Sequence, residues 1–148
     1  VTEAGTERMG IIKSAVGIGS LLADGIGETI RVSLTGDPLK EVSAAKDILK
    51  AVGKGSGVEL VSCPTCGRTR IDLVRAASMI EDAVRDIDKN VKVAVMGCVV
   101  NGPGEAMEAD IGIAGGDKCA VIFKKGKVLR KISEDEIVPE LLKEIEKL

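Results

Sequence analysis

The chain reads as an α/β protein, and three observations predict it. Segments with helical spacing and segments with strand spacing alternate along all 148 residues. Aliphatic residues and Ala are abundant enough for a packed core, while Phe123 is the sole aromatic. Gly25, the run Thr35-Gly36-Asp37-Pro38 and the pair Lys125-Gly126 fall where segments should stop or turn.

The first half reads helix, strand, helix. Thr6 can cap a helix over 7–23, with Ile11, Ile12, Ala15, Val16, Ile18 and Leu22 as its apolar face and Gly25 as its stop. ETIRVSL at 28–34 reads as a strand. Asp37 suits an N-cap and Pro38 a first helical position; Leu39, Val42, Ala45, Ile48, Leu49 and Val52 mark the stripe that should be buried. GKGSG at 53–57 reads as a linker.

The second half opens with strand VELV at 58–61 and a Cys-rich loop. Thr69 and Asp72 resemble a capping box for a helix over roughly 70–88, and a strand over 91–96 follows. After the loop GCVVNGPGEA comes a short strand over 110–114. The segments 119–124 and 127–132 pair as a hairpin around Lys125-Gly126. Ser133 and Glu136 form a capping box for the last helix, whose start Pro139 delays or kinks.

Composition excludes several functions. With no His in the chain, acid–base chemistry falls to Asp, Glu, Lys, Cys or water. One aromatic and a net charge of −2 argue against nucleic acid and anionic membranes as partners. No apolar run reaches the ~20 residues of a membrane span, and no secretory signal is evident. A cytoplasmic location follows as the default, where clustered Cys favour metal or redox chemistry over disulfides. The chain starts at Val1 in mid-pattern and so reads as the C-terminal portion of a longer protein.

The central signal is CPTCGR at 63–68 with GCVVNGPGE at 97–105. Both follow strands, so both can lie on the rim where α/β sheets gather ligand loops. Cys63 and Cys66 offer two thiolates, Cys98 a third, and Glu105 a different fourth ligand for an iron–sulfur cluster. Gly97, Gly102 and Gly104 permit close backbone approach, and the helix after Thr69 would aim its positive end at an anionic cluster. Three other readings stay open: small buried cysteines, a dithiol redox pair at Cys63 and Cys66, and a four-Cys zinc site recruiting Cys119. The first ignores the paired loops, the second leaves Cys98 unused, and Cys119 sits in a strand pattern that reads as core. Glu3 stands at the end of an incomplete strand and is either catalytic or a solvated charge. Arg31 and Ser33 share a strand face that suits phosphate oxygens or simply solvent. Asn101 serves a ligand or its turn. KKGKVLRK at 124–131 reads as a solvated hairpin.

These residues resemble the C-terminal part of the bacterial 4-hydroxy-3-methylbut-2-enyl diphosphate synthase family of the non-mevalonate isoprenoid pathway. VTEAGTERMGIIKSAVGIGSLLADGIGETIRVSLTGDP, LVSCPTCGR, MGCVVNGPGEA and ADIGIAGG carry the resemblance over nearly the whole chain. It implies the last units of a truncated TIM barrel at 1–52, a Gly-rich linker at 53–57, and at 58–148 a small domain similar to the cluster domain of sulfite and nitrite reductases. It implies a 4Fe-4S cluster on Cys63, Cys66, Cys98 and an exchangeable Glu105. Glu3 becomes the barrel acid near the substrate, Arg31 and Ser33 diphosphate contacts, and Asn101 a substrate neighbour. The implied reaction is reductive ring opening of methylerythritol cyclodiphosphate, with flavodoxin or ferredoxin as electron donor, in a homodimer. About fifty residues cannot close a barrel of the typical ~250, so the chain alone should be inactive.

Overall fold

The computed structural model describes residues 4–148 and forms two compact units, divided between Ser56 and Gly57. Glu3 lies outside the described residues.

The first unit is a pair of helices. Helix α1 (Glu7–Ala23) begins after Thr6, whose side chain makes no capping hydrogen bond, and ends where Gly25 takes φ 79°. Helix α2 (Pro38–Ala51) begins as expected, with the Leu39 N–H donating to Asp37 Oδ1 at 2.9 Å. Their shared core is Ile18, Leu22, Val32, Leu34, Ala44 and Ile48.

The expected apolar stripes are rotated. Gly10, Ser14 and Gly19 take buried places on α1, while Ile12 and Val16 are exposed. On α2 Leu39 and Val42 are exposed and Ala44 is buried instead. Small residues let the backbones approach: a Cβ on Gly10 would lie 2.6 Å from Leu34 Cδ2 and 3.0 Å from the Gly5 carbonyl oxygen.

The strand expected over 28–34 does not form. Among the described residues only Leu34 bridges, in parallel, to Gly5. The Leu34 N–H donates to Glu41 Oε1 at 2.8 Å, and among the described residues no strand of this unit lies beside residues 28–33. Alternation persists without a ladder: Val32 and Leu34 are buried, Arg31 is exposed and Ser33 half-buried.

The second unit is a five-stranded mixed sheet in chain order: β1 (Glu59–Ser62), β2 (Lys92–Met96), β3 (Ile111–Gly116), β4 (Cys119–Lys124) and β5 (Lys127–Ser133). β1, β2 and β3 are parallel; β4 and β5 are antiparallel to their neighbours. The β4–β5 turn has Lys125 and Gly126 at φ 48° and 76°, the left-handed pair that a two-residue hairpin needs.

The sheet has unlike faces. Val93, Val95, Ile111, Ile113 and Ile122 pack against α3 (Leu73–Val84) and α5 (Ile137–Glu146). The opposite face is built of Ala94, Met96, Ala114 and Phe123, covered by Ala106 and Ala109. A single helical turn, α4 (Gly102–Glu105), opens that cover within a stretch expected to be loop. Gly102 has no room for a side chain, because a Cβ there would lie 2.7 Å from Met96 Cβ and 2.9 Å from Ala114 Cβ.

Helix α3 is shorter than expected. The Arg70 N–H donates to the Gly97 carbonyl at 2.9 Å, so residues 69–72 tie down the loops instead of opening the helix. Asp72 is the N-cap, its Oδ1 accepting the Arg75 N–H at 3.1 Å. At the other end of the chain, Ser133 and Glu136 make the expected reciprocal cap on a 3-10 turn, and α5 starts at Ile137, ahead of Pro139. No helix among the described residues is long and apolar enough to cross a membrane.

Candidate metal centre

Parallel pairing brings the two loops together. Cys63 directly follows β1, and its N–H donates to the Val95 carbonyl at 3.4 Å, one step beyond the β1–β2 ladder. Gly97 and Cys98 directly follow β2. The Gly97 N–H donates to Cys63 Sγ at 3.2 Å, so the first loop's sulfur rests on the second loop's backbone. A Cβ on Gly97 would lie 3.0 Å from Thr69 Oγ1, which limits this position to a residue without a side chain or demands that Thr69 give way.

One cleft of about 190 Å³ is lined by Cys63, Cys66, Cys98, Asn101 and Glu105, together with Arg68 and Thr69. Their burial is graded: Cys98 is buried, Cys63 half-buried, Cys66 exposed. Cys119 is a free thiol that does not line this cleft. Its sulfur lies where a Cβ on Gly116 would come within 2.8 Å. Arg31 and Ser33 belong to the first unit and are not among the lining residues.

The exposed thiol is electrostatically prepared. The Arg68 backbone N–H, hydrogen-bonded to the sulfur, holds the Cys66 thiol below its ordinary value; the Thr69 hydroxyl and the Arg68 charge add to this, against the pull of burial. Thr69 works twice, since its Oγ1 also accepts the Cys66 N–H at 3.1 Å. Thr69 was expected to cap a helix, and Arg68 carried no assignment. The available signal for Arg68 was its place two residues beyond Cys66; for Thr69 the T-x-x-D spacing favoured the cap.

The helix dipole plays a smaller part than the sequence suggests. The first turn of α3 does not line the cleft; its Arg75 N–H donates to Asp72 Oδ1, and the N-cap Asp72 N–H donates to Glu134 Oε1. Glu105 is exposed, and its Oε1 accepts a hydrogen bond from Asn101 Nδ2 at 3.1 Å across one turn of α4.

Among the described residues, no group of three or more His, Cys, Asp or Glu is placed to hold a single metal ion. The donors surround a cleft rather than converge on a point. The donor set nevertheless fits an iron–sulfur group: three thiols, a carboxylate, and a backbone N–H already directed at one sulfur.

Residues 59–147 match the family described as GcpE protein C-terminal domain, and residues 1–46 match the GcpE TIM-barrel domain. The chain belongs to the GcpE family. Its similarity to named GcpE relatives is high. It is 60% identical to the 4-hydroxy-3-methylbut-2-en-1-yl diphosphate synthase (flavodoxin) of Clostridium tetani, over all of this chain and 43% of that protein. The protein of the same name from Caldanaerobacter subterraneus is 62% identical over all of this chain and 42% of its own length. The chain thus spans less than half of these GcpE relatives.

Proposed function

We propose that this chain is the cluster-bearing part of a flavodoxin-dependent 4-hydroxy-3-methylbut-2-enyl diphosphate synthase. Residues 58–148 are its iron–sulfur domain, of the sulfite and nitrite reductase kind; residues 1–52 are the last part of a TIM barrel, joined by the linker 53–57. The observation that carries this reading is the single cleft lined by Cys63, Cys66, Cys98 and Glu105 from two loops far apart in sequence.

The three thiolates and Glu105 would hold a 4Fe-4S cluster. When bound, the cluster supplies electrons singly for the reductive ring opening of the cyclodiphosphate, and a Lewis-acidic iron. The chain's own residues do the rest. A carboxylate is a harder and less durable ligand for a soft centre than thiolate, so Glu105 would be the most exchangeable of the four donors. Asn101, the proposed substrate neighbour, donates to its Oε1 at 3.1 Å and would hold that carboxylate in place beside the cleft. The Gly97 N–H and the Arg68 charge offset negative charge on the sulfurs. Arg31 and Ser33 hold the diphosphate, which removes the search for a reacting geometry, and Glu3 positions the substrate or supplies a proton. The whole enzyme is a cytoplasmic homodimer in which one subunit's cluster domain closes the partner's barrel. Ferredoxin is the alternative donor.

Anaerobic reconstitution tests this reading. The chain should take up about four iron and four sulfide and gain visible charge-transfer absorption. Cys98→Ser should lose most of it. Glu105→Cys should keep the cluster, while in the full-length enzyme it should lower turnover by at least tenfold, roughly the loss expected on removing a tuned ligand. Full activity of Glu105→Cys would instead favour a module that only relays electrons. The 148 residues alone should show no turnover with reductant and cyclodiphosphate.

A further inference from the structure

The tip of the β4–β5 hairpin, Lys124-Lys125-Gly126-Lys127, has a geometry that mere solvation does not explain. Lys124 and Lys127 stand directly opposite each other in the register. Like charges so placed destabilise an antiparallel pair. Between them Lys125 adopts φ 48°, where Asn, Asp or Gly is the ordinary occupant. Among the described residues none of these three lysines forms an ion pair, although Glu105 and Glu108 lie on the segment that the tip touches.

The tip is built onto the segment that carries Glu105. The Lys125 N–H donates to the Ala109 carbonyl at 3.2 Å. A Cβ on Gly126 would lie 3.2 Å from the Pro103 carbonyl oxygen and 3.1 Å from Met107 Cγ. Met107 and Val128 are exposed beside the lysines, 64% and 56% respectively. Apolar contact area with a charged border is the anatomy of a protein-binding surface. Nucleic acid is the poorer fit, since no aromatic side chain is exposed here for bases to stack on.

We propose that this hairpin tip is the docking surface for an acidic electron-carrier protein, delivered to the cleft along the segment 103–109. The proposal rests on the reading above, that an electron carrier serves this centre, and adds where it lands. A negative partner relieves the repulsion between Lys124 and Lys127 on binding. Because the whole chain carries a net charge of −2, attraction of an acidic partner has to come from a local patch and should vanish with added salt.

The test uses the whole 148-residue chain and its Lys127→Glu and Lys125→Asn/Lys127→Glu variants. Lys127→Glu creates an opposite-charge pair with Lys124, so it should melt at the same temperature or higher, which separates loss of docking from loss of fold. Titration with an oxidised flavodoxin of net negative charge at low salt should give binding weakened about tenfold in the variants, with the difference gone near 0.5 M salt. In anaerobically reconstituted chain, electron transfer from chemically reduced flavodoxin should slow in parallel, while reduction by dithionite alone stays unchanged. Variants that bind and accept electrons like the parent would overturn the proposal, as would tighter binding to an oligonucleotide than to flavodoxin. If reconstitution gives the parent no iron, sulfide or visible absorption, the metal-centre reading has failed, and the flavodoxin titration still decides the docking surface on its own.

Discussion

At the scale of single residues, the site depends on what glycines omit. Gly102 lies against Met96 and Ala114 at distances that exclude a methyl group, and it opens the turn carrying Asn101 and Glu105. Gly102→Ala should therefore overpack this face, costing about 1–3 kcal/mol in urea unfolding, and should lower iron uptake by lifting α4 from the sheet. That the three thiols share one cleft was legible from CPTCGR and GCVVNGPGE, because residue type and position after a strand are written directly in sequence. Thr69 was not legible. A Thr three residues before an Asp supports either a helix cap or a loop brace, and only the position of Gly97 decides between them.

At the scale of elements, helices and hairpins were readable because their signals are local. Asp37-Pro38, Ser133 with Glu136, and Lys125-Gly126 each act within a few residues. The strand over 28–34 was not, because a strand exists only beside a partner, and among the described residues only Gly5 stands beside it. Asp72→Ala removes the cap of α3 and should destabilise the second unit by about 1 kcal/mol, measured by chemical denaturation. A charged lattice joins α5 to β5: Arg130 pairs with Glu140 at 2.7 Å and with Glu144 at 2.8 Å. The Lys143 ammonium, then Arg130, holds the Glu140 carboxyl below its ordinary value; the Lys147 ammonium, then Arg130, does the same for Glu144. Carboxylates with lowered folded-state values stabilise above the ordinary carboxylate range, and that stability is lost as pH falls through those values. Melting temperature should thus hold steady down to that range and then drop, with a shallower acid slope in Arg130→Met.

At the scale of the whole chain, two compact units follow one another, and the family matches fall one on each. The second unit holds all the residues that line the thiol cleft, together with the sheet that positions them. Residues 57–148 expressed alone should therefore unfold in one cooperative transition and take up iron as the longer chain does, checked by calorimetry and iron analysis. The mixed direction of the sheet has a kinetic consequence. β3, β4 and β5 are neighbours in sequence and zip together through short turns, whereas β1 must cross the whole of α3 before it lies beside β2. Contacts between distant segments are slow to form because their loop must be closed first. The pair of cysteines after β1 should therefore meet Cys98 only once a longer loop has closed than the β3–β4–β5 hairpins require, and the cleft they share should form after those hairpins do.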